Sequence, residues 1–365
     1  MKEKKNLIIL LPNFKFGGAG NSVFSLINYL KKTDFNITVI CIGNCDYKNF
    51  FNKKINLYEL ENKSLLSLFP EIISIVKKVK SENKKNIIYS NHHYANIYSI
   101  LLKILLKKIH VIGVERTSIY ELSKYFSFKD FLKKVFLKAA VLIVYRFADS
   151  IISNTIFTKK EISNFSKNNV VQIYSPSISE IKEFKNKKIK SRINLLWVGR
   201  LSKEKGCKDL IYSAKYLDFK ANVFILGDGN EFNEIKRLIK KNQNKNIKFY
   251  LKRYIKKPDP YFKKSHILIN TSFFEGSNNS IVQAINENLI ILASNVPGGN
   301  KELLQNKKFG FFYKKDDPSD LAKKLKEMIK NYRKFQSKLR FKKVFLKNFT
   351  SNFSNKKTLR IINKI

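Results

Sequence analysis

At 365 residues the chain is too long for one ordinary hydrophobic core and suits two domains. With 44% hydrophobic and 13% aromatic residues it can fill such cores, which excludes a disordered chain, and its three cysteines (Cys41, Cys45, Cys207) lack the spacing of a metal site or a disulfide framework and fit a reducing compartment. The formal net charge of +44 is extreme, but residues 1–190 contribute +19 and residues 191–365 contribute +25, so the charge reads as a Lys-rich composition or as attraction to an anionic membrane, not as a basic tail for nucleic acid.

The opening Met1–Lys5 leads into a short apolar run at Asn6–Pro12, too short for a secretory signal, and no segment has the roughly 18 uninterrupted apolar residues of a membrane span. A cytoplasmic protein is expected, with peripheral attachment to the inner face of the cytoplasmic membrane left open. Short apolar runs follow at Leu7–Leu11, Ile37–Ile42, Ile87–Tyr89, Val111–Val114 and Ser150–Ser153, separated by longer amphipathic stretches. That alternation predicts strand–helix–strand units and a parallel sheet. After Asn13–Gly20, with Gly17-Gly18 behind the first run, no complete Gly-x-Gly-x-x-Gly appears. His92 and His93 follow the third run and could line a cleft or merely start a helix; His110 and His266 read as structural. Phe131–Phe147 is both basic and very apolar, and reads either as a core helix or as one lying in a membrane interface.

Around Ser175–Ser191 the pattern breaks, and it then restarts at Asn194–Gly199, Asn222–Gly227, Lys248–Leu251, Ile267–Asn270, Ile290–Ala293 and Gly310–Tyr313. Two such series predict two Rossmann-like α/β domains, one over residues 1–180 and one over residues 190–344, with a helix at about 345–365 able to pack back on the first.

Four stretches of the second series carry chemistry. Trp197–Gly206 sets Arg200 and Lys205 behind a buried strand, where two cations suit a diphosphate. Phe224–Asn230 ends a strand in Gly227-Asp228-Gly229, which permits close backbone approach to a ligand. Ser272–Ala284 holds Glu275, able to accept from sugar hydroxyls, and a helix start near Asn279 whose free N–H groups could hold phosphate oxygens. Gln283 lies further along and could bind a ribose diol. Ala293–Glu302 ends a strand in Pro297-Gly298-Gly299 beside an acid.

The order Gly-Gly loop, Gly-Arg-x4-Lys-Gly, Gly-Asp-Gly, Glu-Gly loop and Pro-Gly-Gly-x2-Glu resembles family 4 of the retaining glycosyltransferases over nearly the whole chain. The resemblance implies the GT-B fold, two Rossmann-like domains facing a central cleft, with the acceptor bound by the N-terminal domain and the nucleotide sugar by the C-terminal one. It implies catalytic roles for Glu275, Arg200 and Lys205, with Arg200 and Lys205 neutralising the donor diphosphate. The implied donor-binding set is Gly17, Gly18, Gly199, Gly227, Gly229, Gly276, Asn279, Ser280 and Gln283. On the acceptor side Arg116 stands where many members carry a His, and it joins His92 and His93. No metal and no other cofactor is expected, and the implied partners are a nucleotide-sugar donor, probed first as a UDP-sugar, and a lipid-linked or surface-glycan acceptor. Gln283 departs from the family's Glu-x7-Glu, and Gly20-Asn21 replace its usual Glu-Arg. A nucleotide-sugar epimerase or non-transferring relative, and a basic module binding membrane or nucleic acid, are the alternatives; nucleic acid is not the expected partner.

Overall fold

A computed structural model describes residues 5–51, 55–60, 65–166, 169–243 and 245–365, so residues 1–4 of the basic opening segment lie outside the described residues. The chain divides into two compact units: Met1–Pro176 together with Ser351–Ile365, and Ser177–Thr350.

The first unit is built on seven parallel strands: β1 (Asn6–Leu11), β2 (Asn36–Cys41), β3 (Ile55–Glu59), β4 (Asn86–Asn91), β5 (Ile109–Glu115), β6 (Ser150–Ser153) and β7 (Asn169–Gln172), in the order β3-β2-β1-β4-β5-β6-β7. Successive side chains of a strand point to opposite faces. Leu7, Ile9 and Leu11 of β1 therefore enter one apolar cluster while Ile8 and Leu10 enter another. Both faces are covered by helices, which is why the central strands read as continuous apolar runs rather than as alternating ones. The helix Ser351–Lys364 belongs to this unit: Ile362 is buried in its core, and Asn355 Nδ2 donates to Ser25 Oγ at 3.0 Å.

The second unit repeats the plan with β8 (Ile193–Val198), β9 (Ala221–Leu226), β10 (Ile247–Lys252), β11 (Ile267–Asn270), β12 (Ile290–Ser294) and β13 (Gly310–Tyr313), all parallel in the order β10-β9-β8-β11-β12-β13. In each sheet the strand order reverses direction once, between β1 and β4 and between β8 and β11. Crevices for ligands form outside the carboxyl ends of the strands at such a point.

β3 and β7 are edge strands that the apolar-run reading passes over. Both are short, and their exposed or half-buried residues interrupt the run, because an edge strand buries less of itself.

The basic apolar segment forms a helix at Phe128–Val144, and within it only Leu137 and Val141 are buried. Phe128 is 76% exposed, Phe136 74% and Ile143 61%, with Phe131, Leu132 and Val135 also exposed. A helix whose only task was to cover the sheet would bury such a face. By contrast, His92–Leu105 buries Ala95, Tyr98, Ile100 and Leu102 and is a core helix. All three cysteines are buried and free, and among the described residues no helix is long and apolar enough to cross a membrane.

Candidate functional site

The loops that follow β8 and β11 meet at the reversal point of the second sheet. Lys205 Nζ lies 2.7 Å from Glu275 Oε1. That oxygen also accepts from Ser272 Oγ at 2.6 Å and Asn278 Nδ2 at 3.0 Å. The Glu275 side chain is 9% exposed and that of Lys205 27%, so this ion pair is largely shielded from water. Two further contacts seat Lys205. Trp197 Nε1 donates to Thr271 Oγ1 at 2.9 Å, and the Thr271 hydroxyl donates to the Lys205 carbonyl at 2.7 Å. Arg200 stands apart: its side chain is 74% exposed and, among the described residues, its one ion pair is with Glu204, at 3.9 Å. Lys205 and Glu275 are thus brought together, while Arg200 projects freely from the same loop.

The glycines of this site have a clear packing task. A Cβ at Gly227 would fall 1.8 Å from the Gly199 carbonyl oxygen, and one at Gly229 would fall 2.2 Å from the Leu201 carbonyl oxygen. Gly227 and Gly229 therefore let the loop after β9 lie flat against the loop that carries Arg200 and Lys205. Gly298 does the same for Glu275: its φ is +124°, and a Cβ there would sit 1.9 Å from the Glu275 carbonyl oxygen. The adjacent Gly299 N–H donates to that carbonyl at 3.1 Å. The Pro-Gly-Gly turn is thus a clamp on the backbone of Glu275. Gly276 is buried beside it.

The helix Asn279–Asn286 begins with its own cap. Asn278 Oδ1 accepts from the N–H groups of Ser280 at 3.0 Å and Ile281 at 3.4 Å. The expectation of free N–H groups at this start is corrected accordingly: two of them are satisfied by the protein, as capping chemistry favours. Asn279 Oδ1 accepts from Ser177 Oγ at 2.9 Å, the Ser280 hydroxyl approaches the Val198 carbonyl at 3.5 Å, and the half-buried Gln283 donates weakly to the Ser177 carbonyl at 3.4 Å. In the first unit, Gly17 precedes the helix Gly18–Leu30, whose start has no side-chain cap.

Of the acceptor-side candidates, His93 is 1% exposed and lies against the fully buried Glu115 at 2.7 Å, so it supports the strand ends from beneath rather than lining an open surface. Tyr145 OH donates to the same carboxylate oxygen at 2.7 Å. Burial alone would lower the His93 pKa, but the charge of Glu115 and their hydrogen bond outweigh it and raise the pKa. The same contacts outweigh burial at Glu115 and lower its pKa. His92 has a φ of 77°, uncommon for a residue with a side chain. Arg116 is half-buried, with Asn91 and Ser175 as partners. His266, read as structural, accepts the Asn194 N–H on Nδ1 at 2.9 Å. Thr271, Trp197 and Gly298 were missed as site residues. Only the Pro-Gly-Gly motif signalled any of them, because the other two act through contacts between distant strands.

Two doubly wound parallel units, the second with this ion pair at its reversal point, follow the plan of the GT-B fold class. Residues 16–176 match the family profile "Glycosyltransferase Family 4" and residues 178–343 match "Glycosyl transferases group 1". The chain belongs to the family 4 type of GT-B glycosyltransferases. An uncharacterized glycosyltransferase of Methanocaldococcus jannaschii is 30% identical over 249 residues, 63% of this chain and 60% of that protein, so the similarity spans about three fifths of that relative. A capsular polysaccharide biosynthesis glycosyltransferase of Staphylococcus aureus is 21% identical over 324 residues, 83% of each chain. The crystal structure of Anabaena HepE in complex with UDP-glucose superposes with a TM-score of 0.76 at 16% identity, covering 99% of this chain and 100% of that one, a likeness of fold.

Proposed function

We propose that the chain transfers a sugar, with retention of anomeric configuration, from a UDP-sugar held by the second unit to a surface-glycan or lipid-linked acceptor held by the first, working at the inner face of the cytoplasmic membrane. The observation that carries the donor reading is the Lys205–Glu275 pair at the reversal point of the second sheet. As the bond from the anomeric carbon to the diphosphate breaks, the acceptor hydroxyl oxygen bonds to that carbon and its proton passes to the leaving diphosphate, on which negative charge grows. Lys205 and the projecting Arg200 would stabilise that charge, the more so in a site of low dielectric. Glu275, held by Lys205, Ser272 and Asn278, would face the sugar hydroxyls, and Gln283 the ribose. Gly17 and Gly18, at a helix start with no side-chain cap, would supply a further phosphate contact. The UDP-glucose complex of HepE favours uridine as the base, and the capsule enzyme favours a surface glycan as product. The exposed apolar face of Phe128–Val144 on a chain of net charge +44 supports attachment to an anionic membrane.

The test is a transfer assay with a panel of radiolabelled UDP-sugars and lipid-linked oligosaccharides, with the anomeric configuration of the product read by NMR. A product of the same configuration as the donor is expected. An inverted product overturns the stereochemical reading, and turnover of the nucleotide sugar with no acceptor present would favour the epimerase-like alternative.

A further inference from the structure

The carboxyl ends of β4 and β5 hold a guanidinium that, among the described residues, makes no ion pair. Arg116 directly follows β5; its Nε donates to Asn91 Oδ1 at 2.7 Å and its Nη1 to Ser175 Oγ at 2.9 Å, both neutral groups. The neighbouring Glu115 is turned away, with one carboxylate oxygen against His93 and Tyr145 and the other accepting the Arg116 backbone N–H at 3.1 Å. Among the described residues no carboxylate pairs with the guanidinium, and its other N–H groups have no protein partner. A second donor is in the same position. Asn91 is 4% exposed, and its Nδ2 is buried without a hydrogen bond. Because Asn91 Oδ1 is bound to Arg116 Nε, that idle amide N–H₂ lies within one carboxamide of the guanidinium.

A partly desolvated guanidinium without a counter-ion, beside an unsatisfied amide donor, is costly unless a ligand completes it. The complement of a planar fork of donors is an oxyanion. The position fits a ligand as well, since β4 borders the reversal point of this sheet. We propose that Arg116 and Asn91 form a binding site for an oxyanion carried by the acceptor, a phosphate or a sugar carboxylate. This deepens, and rests on, the reading that the first unit takes the acceptor: an anionic group near the accepting hydroxyl would anchor it.

The test uses the full chain with UDP in saturating amount, so that the donor subsite is filled. Methyl phosphate, glucuronate and neutral methyl glucoside are then titrated calorimetrically. Binding of at least one anion, but not of the neutral glucoside, is expected. Binding should weaken by about tenfold or more in Arg116→Gln and in Asn91→Asp, with UDP affinity unchanged. Asn91→Asp preserves volume and gives Arg116 an internal counter-ion, so it tests the site even where the Arg116 variant folds poorly. Preference for methyl phosphate assigns a phosphorylated acceptor, and preference for glucuronate an acidic sugar. Equal anion binding by wild type and both variants, or no anion binding to the UDP-loaded protein, overturns the proposal. A protein that does not bind UDP counts against the donor reading alone, and the same anion titrations without UDP still decide this site.

Discussion

Lys205 and Glu275 are 70 positions apart in the chain, yet their charged groups are in direct contact. Removing one member of a shielded pair leaves the other uncompensated, so under the proposed reaction Lys205→Ala would do two things: strip a cation from the leaving group and free Glu275 to repel the diphosphate. We expect kcat/KM to fall by the equivalent of about 2–4 kcal/mol, and Arg200→Ala to give a loss in the same range through charge alone. Near-normal turnover in both single variants would remove these residues from the reaction. Gln283 poses a subtler question. A carboxylate at this position would accept from both ribose hydroxyls and do so with charge. Gln283→Glu gives up a long hydrogen bond of 3.4 Å to the Ser177 carbonyl, worth about 1 kcal/mol at most, and the half-buried carboxylate must turn away from that carbonyl oxygen toward the ribose. It should therefore lower the donor KM and leave kcat nearly unchanged. A raised donor KM would mean that the amide is matched to its ligand.

Among the elements, β5 and the helix that follows β4 are tied by the His93–Glu115 pair. His93 has a folded-state pKa above its ordinary 6.5, so its contribution is full below that value and is lost as the pH rises through the folded-state pKa. Glu115 has a folded-state pKa below its ordinary 4.5, so its contribution is full above 4.5 and is lost as the pH falls through the folded-state pKa. Glu115→Gln should cost roughly 3–5 kcal/mol, most of it between pH 4.5 and 6.5, and the gap in Tm to wild type should narrow on the alkaline side. A gap independent of pH from about pH 5 to about pH 10 would show that the pair is not ionised in the folded protein. The helix Phe128–Val144 makes a different prediction. Its exposed aromatic and aliphatic residues would enter the headgroup region, and the charge of the whole chain would add a salt-sensitive attraction. Sedimentation with anionic vesicles should show binding that weakens with salt and falls sharply in Phe128→Ser/Phe136→Ser. Equal binding to neutral vesicles would remove the electrostatic component. Sequence could not choose between a core helix and an interfacial one here, because both carry the same residues; only the packing leaves Phe136 outside and Val141 inside.

For the whole molecule, charge on the leaving diphosphate would be met by Arg200 and Lys205 rather than by a metal, so turnover is expected to survive EDTA; a strict requirement restored by manganese or magnesium would overturn this. The fold was legible because burial on both faces makes β1, β8, β9, β11 and β12 predominantly apolar, and each motif follows one of them. The edge strands β3 and β7 were not, because their half-exposed residues erase the pattern. Glycine positions were visible, but not what presses on them: Gly227 against Gly199 and Gly298 against Glu275 are contacts between loops of different strands. The sequence by itself determined the two α/β series and the catalogue of charged and glycine-rich strand ends, since these depend on periodicity and local turn chemistry. Only the tertiary structure decided that Lys205 meets Glu275, that His93 is buried against Glu115 and that Arg116 turns its guanidinium to Asn91 and Ser175, because each depends on which side chain a distant segment brings within hydrogen-bond reach.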